Sequence, residues 1–236
     1  MPDQTWASIW GARRLDPTRP SVLAQLMAAD GFDSGFGHIG ELAWRAYVAT
    51  IQHRLGIEPS TSVYEVGCGA GAFLFPLFEM GCGVAGLDGS AALLGYAADA
   101  MPGIVTHLAD ASALAEEPAF DFVVSSGVFL YFPSLDYAGD VLTRMARKAV
   151  RGVAVLDVPD VATRDEAEQM RRQTMGPGEY EARYRGLQHL YFQRGWFEDT
   201  LRAAGWPAVT IAQQDIAGYR NGRYRFNVFA TRQRRP

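Results

Sequence analysis

The sequence predicts an α/β chain: a doubly wound, seven-stranded, mostly parallel sheet with an antiparallel last strand and a helical N-terminal cap. Three observations carry that expectation. Apolar, β-favouring residues at 63–66 run into three closely spaced glycines, Gly67, Gly69 and Gly71. Strand and helix patterns then alternate as far as residue 158, which specifies parallel strands with helices on both faces. Finally, residues 209–213 and 225–231 alternate in the strand manner on either side of Gly218 and Asn221-Gly222, as a closing antiparallel pair.

The cap is expected at residues 1–59. Trp6 and Trp10 fall on a short helix, broken by Asp16-Pro17-Thr18-Arg19-Pro20, and Ser21 is placed to cap a second helix over 22–29. Residues 31–37 read as an aromatic-bearing, glycine-rich hinge: no strand leads into them and no Lys follows, as a phosphate loop would require. Ile39, Leu42, Ala43, Ala46, Tyr47 and Ile51 recur at helical spacing and predict a helix over 38–55, stopped by Gly56.

The main domain is expected at residues 60–236. Its strands are predicted at 62–66, 83–88, 104–109, 120–125 and 152–158. Helices are predicted at 70–80, 90–100 and 135–149, with Pro76 kinking the first. A polar insertion at about 159–192, broken by Gly176-Pro177-Gly178, reads as a helix plus a loop. A helix over 196–204 follows, ending at Gly205.

Composition limits the partners. The 236 residues carry a formal net charge of −4, and their only dense basic cluster is Arg232-Gln233-Arg234-Arg235. Nucleic acid and an anionic membrane are therefore not the expected partners. No run is apolar enough to span a bilayer, and no signal-peptide pattern opens the chain. Cys68 and Cys82 form no CxxC pair. A reduced, cytoplasmic protein, monomeric or homodimeric, is expected.

The glycine loop implies a nucleotide-type ligand. Gly67 permits a sharp turn, and Gly69 lets a ligand lie against the backbone. Asp88, twenty-one residues beyond Gly67, is spaced to accept hydrogen bonds from ribose hydroxyls. Both features suit a dinucleotide and S-adenosylmethionine alike. Glu65, two residues before the first glycine, favours a cationic amino-acid ligand. Asp110 is placed for an adenine amine, and an apolar, aromatic segment follows strand 4 at 127–132.

On these motifs the chain resembles the class I S-adenosylmethionine-dependent methyltransferases, especially the branch acting on small molecules. The resembling stretches are Val63-Tyr64-Glu65-Val66-Gly67-Cys68-Gly69-Ala70-Gly71, Gly86-Leu87-Asp88-Gly89-Ser90, Leu108-Ala109-Asp110-Ala111 and Phe120-Asp121-Phe122-Val123-Val124-Ser125-Ser126-Gly127-Val128, with His189-Leu190-Tyr191-Phe192 further on. The resemblance runs from about residue 60 to the end. It implies that Gly67, Cys68 and Gly69 line the methionine moiety, that Asp88 holds the ribose with Gly89 and Ser90 nearby, that Asp110 and Ala111 hold the adenine, and that the Ser126 carbonyl meets the amino group. The loop after strand 4 lacks an Asn-Pro-Pro-Tyr signature, which disfavours nucleobase or glutamine-amide acceptors. The expected activity is therefore O- or N-methylation of a small organic molecule, such as a natural-product intermediate. An NAD-dependent oxidoreductase and a non-catalytic cofactor-binding protein are the alternatives.

A hydroxyl or amine acceptor must lose a proton, so a base is sought on pocket-lining elements. His189, in the insertion, stands ahead of His38, which follows the glycine-rich hinge. His107 and His53 read as structural. Tyr131 is the ring best placed to face a sulfonium. Arg183, Arg185 and Arg194 are candidates for a substrate carboxylate, although a solvated face is the commoner meaning of such a run. His38 with Glu41, or Asp157 with Asp160, lacks a completing partner, so no metal is expected.

Overall fold

The computed structural model describes residues 5–32, 37–173, 175 and 178–232. Most of the expected hinge, part of the Gly176-Pro177-Gly178 break and most of the basic C-terminal tail lie outside the described residues. Seven strands form one sheet in the order β3-β2-β1-β4-β5-β7-β6. They are β1 (Ser62–Val66), β2 (Gly83–Asp88), β3 (Val105–Leu108), β4 (Phe120–Ser126), β5 (Ala149–Pro159), β6 (Val209–Gln213) and β7 (Arg225–Thr231). The first five pair in parallel, while β7 runs antiparallel between β5 and β6. The strand order reverses between β1 and β4, which opens a crevice beyond their carboxyl ends.

Period-two patterning sorts the two faces. Val63, Phe122, Val124 and Leu156 point to one layer, which contains α2 (Val22–Ala29), α3 (Glu41–Leu55), α4 (Leu74–Glu79) and α5 (Ala91–Ala100). Tyr64, Val66, Val123 and Val155 point to the other, against α6 (Leu135–Lys148) and α9 (Arg194–Ala203). The N-terminal helices share the first core. Trp44 of α3 is 1% exposed, and its indole N–H donates to the Ala72 carbonyl at 2.8 Å. Ser21 caps α2 as expected, and Gly56, in the left-handed region, ends α3. A short helix, α1 (Trp6–Gly11), precedes them. The insertion contains two helices, α7 (Arg164–Gln173) and α8 (Glu179–Arg183), rather than one. No helix among the described residues is long and apolar enough to cross a membrane.

The first helix of the sheet departs from expectation. α4 begins at Leu74, not at 70, because Gly69 (φ +52°) and Gly71 (φ +89°) are left-handed and cannot join a right-handed helix. Pro76 consequently lies in the first turn, where an amide N–H has no helical acceptor to lose, and the expected kink has no cause.

Candidate active site

A cavity of about 980 Å³ opens at the carboxyl ends of β1, β2, β4 and β5. Its floor is the glycine loop. Gly67 and Cys68 both donate backbone N–H bonds to the Leu87 carbonyl, at 2.8 and 2.9 Å, which pins the loop to the end of β2. Gly67 has φ +75°, and a Cβ there would lie 2.5 Å from Val128 Cγ2. The loop therefore packs tightly against the segment after β4.

Most of the expected cofactor residues converge on this floor. Glu65, Gly67, Cys68, Gly69, Asp88, Gly89 and Ser90 all line the cavity, as do Asp110, Ala111 and Ser126. Asp88 accepts from Gly69 N at 2.9 Å and from Ser90 N at 2.8 Å, which fixes its carboxylate at the strand end. Burial raises its pKa against the pull of those N–H groups. Each oxygen still has a lone pair for a hydroxyl donor. Asp110 is more exposed. Despite some burial, hydrogen bonds from Ser112 and Tyr137 hold its pKa below the ordinary carboxylate value. All three of those bonds fall on Oδ1, so Oδ2 can accept another. Glu65 is 2% exposed, and its Oε2 finds no hydrogen-bond partner among the described residues. Burial first, then Asp30 and Asp88, push its pKa well up. A buried carboxyl without a donor beside a cavity suits a ligand that brings its own cation.

One member of this floor escaped sequence reasoning. Asp30, just past α2, reaches into the loop: Oδ1 accepts from Ala70 N at 2.7 Å and Oδ2 from Ala72 N at 3.0 Å. These are the N–H groups that the expected helix start would have left open to a ligand. The cap satisfies them instead, across forty residues of sequence.

The roof is aromatic. His189 stacks on Trp6 with ring centroids 5.0 Å apart, and it meets Tyr131 and Tyr184 edge-on at 5.8 and 5.7 Å. Trp6 lies 4.6 Å and Trp10 5.4 Å from the Tyr131 ring. The Trp6 indole also donates to the Gln188 carbonyl, so α1 is joined to the insertion. Burial, with the positive charges of Arg225 and Arg171, pushes the His189 pKa down to about 3. Its imidazole is therefore neutral at any working pH. Tyr131 is shifted up by burial.

A polar wall joins floor and roof. Asp157 has φ +59°, at an irregularity in the β5–β7 pairing. It accepts from Tyr219 OH at 2.9 Å and from Gln214 Nε2 at 3.2 Å, and lies 3.5 Å from the buried Arg225 guanidinium. These bonds offset a left-handed backbone that costs about 1–3 kcal/mol. The only sequence signal for this wall was an Arg and an Asn inside the otherwise apolar strand Arg225-Phe226-Asn227-Val228-Phe229.

Other expected residues lie elsewhere. His38 is exposed before α3 and does not line the cavity, so it is not brought to the base position. His107 is exposed on β3, with Nδ1 3.3 Å from Tyr64 OH, and His53 sits in the last turn of α3. Arg194 pairs with Asp160 at 2.8 Å and bonds Gln213, which makes it structural; Arg185 is exposed.

Comparison with known proteins agrees with this geometry. Residues 63–152 match the family model described as a methyltransferase domain. Among solved structures, magnesium protoporphyrin IX methyltransferase (ChlM) from Synechocystis PCC 6803 with bound SAH aligns at a TM-score of 0.58. It is 17% identical, over 81% of this chain and 84% of that one. DesVI from Streptomyces venezuelae aligns at 0.56, with 17% identity over 80% and 92%. CalS10, an amino pentose methyltransferase from Micromonospora echinaspora involved in calicheamicin biosynthesis, aligns at 0.57, with 15% identity over 80% and 92%. No curated protein matches the chain in sequence. The matched domain, the sheet order and a cavity floor suited to a cationic nucleoside agree with one another: residues 63–152 match a methyltransferase domain, and the cavity beside it suits S-adenosylmethionine as cofactor.

Proposed function

We propose that the enzyme methylates a small organic acceptor on oxygen or nitrogen, as a step in natural-product assembly. The observation that carries this is the shape of the cavity. Beyond the cofactor floor it continues under a roof built from the cap (residues 1–59) and the insertion (about 159–192), walled by Trp6, Trp10, Tyr131, Tyr184 and His189. About 980 Å³ lies at the upper end of the range for small-molecule sites and accommodates donor and acceptor together. A cavity walled by aromatic rings suits an organic molecule better than a macromolecular chain. Two of the similar structures, ChlM and CalS10, are methyltransferases named for small-molecule acceptors. The buried free thiols of Cys68 and Cys82 support a reducing, cytoplasmic setting.

On this reading Gly67, Cys68 and Gly69 lie along the methionine end of the cofactor, and the Ser126 carbonyl meets its amino group. Asp88, with Gly89 and Ser90, takes the ribose hydroxyls; Asp110 and Ala111 take the adenine; Glu65 faces the ammonium. S-adenosylmethionine supplies a methyl group already activated by its sulfonium. The chain's own contribution is alignment and exclusion of water, which the aromatic roof provides. The Tyr131 ring presents a quadrupole to positive charge. Being neutral, His189 always has an acceptor lone pair, and its weak basicity suits a proton that grows acidic as the new bond forms.

Calorimetric titration with S-adenosylmethionine tests the floor. Wild type binds, and Asp88→Ala loses about tenfold or more in affinity, the worth of a charge-assisted hydrogen bond. Unimpaired binding by the variant, or none by wild type, refutes the assignment. His189→Ala tests the roof: kcat should fall far more than cofactor affinity, and equal activity refutes its role.

A further inference from the structure

Asp30 belongs to the cap, yet its carboxylate sits inside the cofactor floor. A Cβ on Gly69 would lie 2.2 Å from Asp30 Oδ1, so the glycine leaves the space that the carboxylate fills. Asp30 lines the cavity with Glu65 and Asp88; the Asp88 charge adds to the rise of the Asp30 pKa, and both add to that of Glu65. The Oε2 of Glu65, buried and without a hydrogen-bond partner among the described residues, faces the same space. Among the described residues, the titratable groups around Asp30 are Arg13 following α1, Glu65 on β1, Cys68 in the loop and Asp88 on β2, and of these Arg13 is the cation.

We propose that Asp30 is a charge-selective residue of the cofactor site: it ties the cap to the glycine loop and favours the cationic methyl donor over the demethylated product. This rests on the cofactor reading given above. When the methyl group leaves, the carbon–sulfur bond breaks and its electron pair stays on sulfur, while a lone pair of the acceptor forms the new bond. The donor carries an ammonium, a sulfonium and a carboxylate; the product keeps only the ammonium and the carboxylate. The rest of the two molecules is the same. A carboxylate near the loop therefore discriminates them through the sulfonium charge alone, and it weakens the hold on the product once transfer is complete.

The ionisation of Asp30 gives the effect a pH signature. Burial first, opposed by the Ala70 and Ala72 N–H groups, raises its pKa to about 7, with Asp88 adding to the rise and Arg13 opposing it. Below that pH the group is neutral and does not attract a cation; above it the charge is present. Donor affinity should rise through pH 7, while product affinity changes less.

The test is calorimetry with S-adenosylmethionine and S-adenosylhomocysteine at pH 6, 7 and 8, on wild type, Asp30→Asn and Arg13→Gln. The expected result is that Asp30→Asn lowers the donor-to-product affinity ratio by about tenfold and flattens its rise with pH. Arg13→Gln, which removes the cation that favours the charged carboxylate, should move the rise of the ratio to higher pH; it keeps the proposal testable should Asp30→Asn fail to fold, and an unmoved rise would count against it. A purely structural role for Asp30 predicts that both ligands weaken by the same factor with an unchanged pH profile, and that outcome overturns the proposal. A wild type that binds neither ligand overturns the cofactor reading itself, together with this inference.

Discussion

Substituting Gly67 by alanine tests the geometry of the floor without removing any functional group. Two costs follow from the structure. The backbone at φ +75° is left-handed, which costs an L-residue about 1–2 kcal/mol. The new Cβ would also lie 2.5 and 2.9 Å from the two Cγ atoms of Val128, a β-branched side chain with little freedom to turn aside. Overpacking of this kind costs about 1–3 kcal/mol. The sum, about 2–5 kcal/mol, should lower the melting temperature by roughly 5–15 °C for a chain of this size. Thermal and urea unfolding measure it. Because the second cost depends on Val128, the double variant Gly67→Ala/Val128→Ala should be coupled, with about 1 kcal/mol or more regained relative to additivity. A melting temperature within 1 °C of wild type for the single variant, or strict additivity in the double, would refute the close packing of loop and strand-4 segment.

Three further predictions concern other parts of the site. Trp44→Phe removes the indole N–H that the Ala72 carbonyl accepts from and should cost about 1–3 kcal/mol in urea unfolding; no change would show the bond to be dispensable. Asp157→Asn leaves the buried Arg225 guanidinium without its carboxylate, and a loss of about 3–5 kcal/mol is expected, with neutrality as the contrary result. His189, with a pKa pushed down to about 3 against an ordinary 6.5, binds fewer protons folded than unfolded between those values. Its contribution to stability is therefore fully present above about pH 6.5 and declines as pH falls towards 3. The rate profile of kcat/KM should accordingly show no inflection near pH 6.5 that His189→Asn abolishes; such an inflection would show the imidazole to be far less shielded.

The fold was legible in the sequence where its causes are local. Strand period, the Ser21 cap and the Gly56 stop all act within a few residues, and the structure follows them closely. That the glycines and strand-end acids would line one cavity was equally readable, because positive-φ glycines and strand-end acids announce themselves by spacing. What failed to read was non-local. The N–H groups of Ala70 and Ala72, left outside α4 by the left-handed Gly69 and Gly71, are taken by Asp30, forty residues earlier. The polar wall of Asp157, Tyr219 and Arg225 is assembled by the β5–β7 pairing, which no single segment reveals. Arg194, weighed for a substrate carboxylate, is instead engaged by Asp160, and His38, exposed ahead of the α3 start at Glu41, does not line the cavity.

The central claim is that the cavity floor holds S-adenosylmethionine with the reacting sulfur turned towards the aromatic chamber. A crystal structure with S-adenosylhomocysteine addresses it most directly. Ribose hydroxyls are expected on Asp88, adenine beside Asp110, the amino group at Glu65 and the Ser126 carbonyl, and the sulfur facing Tyr131 and His189. Ligand density that leaves Asp88 without a partner, or a sulfur facing away from those rings, would contradict it.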